Sequence, residues 1–71
     1  MKKARLIALL KQIRLDADLT QSELGEKLHQ TQSYVSKYES GEQRLDLLEI
    51  EAICDAVDIP LLRFVERYLE S

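Results

Sequence analysis

Cysteine is almost absent from this sequence: Cys54 stands alone, so no internal disulfide can form. Histidine is as scarce, and His29 by itself cannot assemble a zinc site. With neither staple present, the sequence points to a reducing, cytoplasmic setting. Tryptophan is missing, and only two glycines and one proline punctuate the 71 residues. No linker or low-complexity segment stands out. No apolar run approaches the roughly 18 residues of a membrane span. Lys2, Lys3 and Arg5 precede an apolar stretch as in a secretion signal, but Lys11 and Arg14 interrupt it. No small-residue cleavage site follows, so a leader is not expected. A basic excess is missing as well: ten Lys/Arg face thirteen Asp/Glu, for a net charge of −3. A chain this short buries only about 60% of its unfolded surface, so one domain over residues 1–71, helped by oligomerisation, is the expected organisation.

The charge is unevenly distributed. Residues 1–38 hold seven Lys/Arg and four Asp/Glu, a net of +3, whereas residues 39–71 hold three and nine, a net of −6. Such a split can present one face to phosphates and turn the acidic face away; equally, it is what an ordinary solvated surface would carry. Leu, Ala, Glu, Lys, Arg and Gln dominate, and no stretch alternates at period two, so the expected class is all-α.

Five helices are expected. The first covers roughly residues 3–15, with Leu6, Leu9, Leu10, Ile13 and Ala17 on its apolar side. Thr20 and Glu23 form a capping box before the second helix, in which Glu23 also stands four residues before Lys27. Thr31 caps the third, which stops at Ser40-Gly41. Asp46 and Glu49 cap the fourth, whose apolar face is Leu47, Ile50, Ile53, Cys54 and Val57. Pro60 suits the first position of the fifth.

Residues 21–40 read as a helix, a short turn at His29-Gln30 and a second helix. Gly25 lets the two helices approach; Leu24, Leu28, Val35 and Tyr38 lock them together. That leaves Gln32, Ser33, Ser36 and Lys37 on a polar face able to hydrogen-bond base edges. Spacing alone also fits an ordinary αα-hairpin with a plain solvated face.

The run from Leu19-Thr20-Gln21-Ser22-Glu23-Leu24 to Val35-Ser36-Lys37-Tyr38-Glu39-Ser40-Gly41 resembles the Cro/cI repressor-type helix-turn-helix family, also called XRE-like. The likeness extends over about residues 6–64. It implies a compact five-helix, lambda-repressor-like DNA-binding domain with the third helix in the major groove. It also implies a DNA-contact set of Gln21, Gln32, Ser33, Tyr34, Ser36, Lys37 and Arg44, with Gln21 on a phosphate and Tyr34 near the backbone. Arg14 and Glu39 match the family's partly buried ion pair. The family often has glycine where this chain has Asp18, His29 and Asp58, at turns tending to positive φ. An apolar residue is common where it has Gln30.

The fifth helix, about residues 60–69, is too apolar for a single face. Leu61, Phe64 and Tyr68 can meet the core, while Leu62, Val65 and Leu69 form a neighbouring stripe that a twofold homodimer would cover. The functional expectation is a sequence-specific transcriptional regulator that binds palindromic double-stranded DNA as a homodimer. The alternative is an adaptor or antitoxin subunit that keeps the fold and binds a protein through its acidic surface and its fifth helix. No nucleophile–base pair, phosphate-binding glycine loop or carboxylate dyad is visible, so neither catalysis nor a cofactor or metal is expected. Cys54 reads as a small buried hydrophobe.

Overall fold

The computed structural model describes residues 2–70. Its helices are α1 (Lys2–Asp16), α2 (Gln21–Lys27), α3 (Gln32–Glu39), α4 (Leu47–Ala56) and α5 (Leu61–Glu70), and no strand occurs among the described residues.

The helix starts follow from side chains that satisfy otherwise orphaned backbone N–H groups. Thr20 Oγ1 accepts from Glu23 N at 3.1 Å while Glu23 Oε1 accepts from Thr20 N at 2.9 Å. Asp46 and Glu49 repeat the reciprocal arrangement at 2.8 and 2.9 Å, and Thr31 caps Tyr34 N at 3.2 Å. Each cap of this kind contributes about 1 kcal/mol. The box commits the Glu23 carboxylate, and no Glu23–Lys27 ion pair forms among the described residues. Pro60 lies just outside α5 rather than as its first residue; its carbonyl accepts the first intrahelical bond, from Phe64 N at 3.1 Å.

The helix ends share one device. Asp18, His29, Asp58 and Gly41 have φ of 58°, 56°, 59° and 85°. At each, the next residue's N–H reaches back five residues: Leu19 to Arg14 O, Gln30 to Gly25 O, Ile59 to Cys54 O and Glu42 to Lys37 O, at 2.8–3.2 Å. The left-handed residue itself bonds three back, which completes a Schellman motif in all four cases. The turn that the resemblance placed at positive φ is therefore built here with Asp and His, which tolerate it better than most non-glycine residues. The side chain of Gln30 is exposed, and its backbone N–H supplies the closing bond.

Every helix gives side chains to one buried cluster: Leu10 and Ile13, Leu24, Val35 and Tyr38, Ile53 and Cys54, and Phe64. Leu47 departs from expectation. It is 65% exposed, because it is the first residue of α4 and lies more than a turn before Ile53 and Cys54, where that helix becomes buried.

Candidate nucleic-acid interface

The crossing of α2 and α3 depends on Gly25. A Cβ built there would stand 2.9 Å from the carbonyl carbon and oxygen of Thr31 and 3.2 Å from Gln30 O, so the backbone of α3's cap lies directly against α2. Val35 and Tyr38 fasten the other side of α3 into the core, at 0% and 1% exposure. At about 100° per residue, Gln32, Ser33, Ser36 and Lys37 fall within an arc of about 140° that excludes both buried positions. Gln32, Ser33 and Lys37 are exposed and Ser36 is half-buried. The stripe carries no acidic side chain.

A continuous hydrogen-bonded chain positions this face. Gln32 Nε2 donates to Gln21 Oε1 at 2.7 Å, and Gln21 Nε2 donates to Glu39 Oε1 at 3.1 Å. Glu39 then receives both arms of Arg14: Nε to Oε2 at 2.8 Å and Nη2 to Oε1 at 3.0 Å. The third donor, Arg14 Nη1, meets Leu19 O at 2.8 Å. The expected Arg14–Glu39 pair is thus present, with side chains 8% and 4% exposed. The hydrogen bonds to Glu39 hold the guanidinium's proton more tightly than usual, outweighing the opposite effect of burial. Sequence reasoning missed the Gln32–Gln21–Glu39 extension. The available signal was positional: Gln21 and Gln32 each open a helix, and the close crossing at Gly25 brings the two helix starts together.

Tyr34 is half-buried and occupied. Its hydroxyl donates to Glu49 Oε2 at 3.0 Å, and its ring meets that of Tyr38 edge-on, with centroids 5.6 Å apart. Burial, then the bond to Glu49, push its phenol up to about 12. This bond ties α3 to α4 and had no counterpart in the sequence reading. Glu49 caps α4 with one oxygen and holds Tyr34 with the other, while Glu39 is neutralised by Arg14, so two carboxylates touching α3 are already engaged. Burial also raises the phenol of Tyr38, whose hydroxyl is enclosed with no hydrogen-bond partner among the described residues.

The structure groups Gln21, Gln32, Ser33, Ser36 and Lys37 at α2 and α3. Arg44 lies outside these helices, exposed on the segment between α3 and α4, whose Glu42 and Gln43 N–H groups bond Lys37 O. His29 occupies the turn, and no cluster of three metal-ligating side chains exists among the described residues. No helix of the described residues is long and apolar enough to cross a membrane. Cys54 is fully buried, and burial, reinforced by Asp55 and Glu51, pushes its thiol up to about 11, the opposite of a reactive thiolate.

Comparison with known proteins agrees with this geometry. Residues 10–64 match the helix-turn-helix family model. The wild-type restriction-modification controller protein C.Esp1396I superposes with a TM-score of 0.89 at 23% identity, covering 99% of this chain and 90% of that one. The clp gene regulator ClgR from C. glutamicum gives 0.85 at 22% identity, covering 100% and 91%. These structural likenesses show the fold. No curated protein sequence matches the chain. With the family match spanning all but the outer parts of α1 and α5, the chain belongs to the XRE-type helix-turn-helix family of DNA-binding transcriptional regulators.

Proposed function

We propose that this regulator reads a palindromic operator as a homodimer, with α3 in the major groove of each half-site. The observation that carries the reading is the acid-free polar stripe of α3, with Gln32 oriented by Gln21 and, through it, by the buried Glu39–Arg14 pair. A side chain held in place before binding loses less freedom on contact with a base edge. Gln32, Ser33, Ser36 and Lys37 are assigned to bases and adjacent phosphates, and Arg44 to a phosphate. Gln21 positions Gln32 as well as meeting the backbone. Tyr34 lies at the edge of the contact, restrained by Glu49.

The dimer is assigned to α5. Leu62 and Leu69 are 72% and 71% exposed and Val65 is 36% exposed, whereas Phe64 is buried. Three exposed apolar residues on one helical stripe favour a partner surface, and a second copy of the same stripe is the simplest complement. Reading a palindrome requires that the twofold axis there hold the two α3 helices about 34 Å apart, one DNA turn. Selection of bound fragments from a random DNA pool tests the reading: it should enrich an inverted repeat. Enrichment of no sequence over the input pool would refute it. Sedimentation of the wild type against a Leu62→Glu, Val65→Glu variant tests the dimer, which fails if both sediment alike.

A further inference from the structure

The start of α1, the segment between α3 and α4 and the end of α5 form a pocket of about 320 Å³. Its floor is apolar: Leu6, Ile7, Leu10 and Leu45 with the rings of Tyr38 and Tyr68. The rim holds Lys2, Lys3 and Arg44 beside the amide of Gln43, and no acidic side chain lines it among the described residues. None of these three cations has an ion-pair partner among the described residues, in a chain where acids outnumber bases. A Cβ at Gly41 would lie 3.0 Å from Ile7 Cδ1, so the chain leaving α3 passes close over α1.

We propose that this pocket binds a small anionic amphiphile, an aliphatic carboxylate of about eight carbons. The carboxylate lies among Lys2, Lys3 and Arg44, and the chain lies along Leu6, Ile7 and Leu45. An apolar cavity with a few convergent polar groups is the general form of a small-molecule site. A volume of about 320 Å³ lies at the lower end of the roughly 300–1,000 Å³ range of small-molecule sites, which suits a short aliphatic chain. DNA would satisfy the cations but leave the apolar floor uncovered. A second copy of the chain has its own apolar stripe, at Leu62, Val65 and Leu69, which is not part of this lining.

The test is a titration of the full chain, without DNA, followed by amide NMR. Sodium octanoate should give saturable shifts at Leu6, Gln43 and Leu45, with an affinity about fivefold above that of octanol, the effect of one well-placed exposed ion pair. A Lys3→Gln, Arg44→Gln variant should bind octanoate about fivefold more weakly and octanol unchanged, which also shows that its pocket is intact. Equal or tighter octanol binding, shifts centred on Leu62, Val65 and Leu69, or no saturation below about 10 mM would overturn the proposal. Because DNA is absent, none of these outcomes bears on the DNA reading.

Discussion

Replacing Glu39 by alanine would strand the guanidinium of Arg14 in the interior. In the intact protein two of its donors end on Glu39 at 2.8 and 3.0 Å, and the pair is more than nine-tenths buried. An exposed ion pair contributes at most about 1 kcal/mol. Removing one partner of a buried pair costs about 3–5 kcal/mol, because the remaining charge loses both its solvent and its counter-charge. A domain of this size has a total stability of about 4–11 kcal/mol, so the loss takes a large share of it. At about 4–8 °C per kcal/mol, the melting temperature should fall by about 12–40 °C. Urea unfolding followed by helical circular dichroism measures this directly. Arg14→Met combined with Glu39→Leu separates burial from attraction. With both charges gone, most of the loss should be recovered, less about 1 kcal/mol for Leu19 O, which loses its donor. A Glu39→Ala loss below about 1 kcal/mol would refute the argument, as would a double variant no more stable than the single one.

Other consequences follow from local geometry. Gly25→Ala drives a methyl group into the Thr31 carbonyl and should cost about 1–3 kcal/mol by thermal melting, although alanine is the better helix former. His29→Gly relieves a left-handed residue at φ 56° and should raise stability by up to about 1 kcal/mol; a lower melting temperature would contradict the turn geometry. Alkaline pH should destabilise the fold. Cys54 and Tyr34 have native values raised to about 11 and about 12, so their stabilisation is complete below the unfolded values of 9.0 and 10.0 and is lost as pH rises through those windows. Cys54→Ala should lower stability at neutral pH through its cavity and flatten the decline between pH 9 and 11; an unchanged slope in urea titrations would argue against thiol burial as its cause. Tyr34→Phe should do the same between pH 10 and 12.

Much of the architecture was legible because its determinants are local. Thr20-Glu23, Thr31 and Asp46-Glu49 mark three helix starts through side chains that bond backbone groups within three residues. The spacing of Leu24, Val35 and Tyr38 identified the buried side of the helix pair. The Arg14–Glu39 pair spans 25 residues and was reached through family resemblance, since no periodicity joins those positions. The Gln32–Gln21 and Tyr34–Glu49 bonds stayed hidden for the same reason: they depend on how closely helices cross, which side-chain type does not encode. Leu47 was misplaced because a helical stripe continues to the end of a helix whether or not a neighbour covers it. Glu23 illustrates competition, since the backbone claimed the carboxylate that i,i+4 spacing offered to Lys27.

The assignment of α3 to base reading is tested most directly by the specificity ratio of Gln32→Ala. Affinity for the selected site and for random DNA of equal length is measured at one fixed salt concentration, by fluorescence anisotropy, for wild type and variant. A bidentate base contact contributes about 1–3 kcal/mol of discrimination. The variant's ratio of selected-site to random-DNA affinity should therefore fall about 5- to 150-fold, with random-DNA affinity nearly unchanged. Equal losses on both DNAs, or no loss on either, would contradict the claim that Gln32, held by Gln21, reads a base.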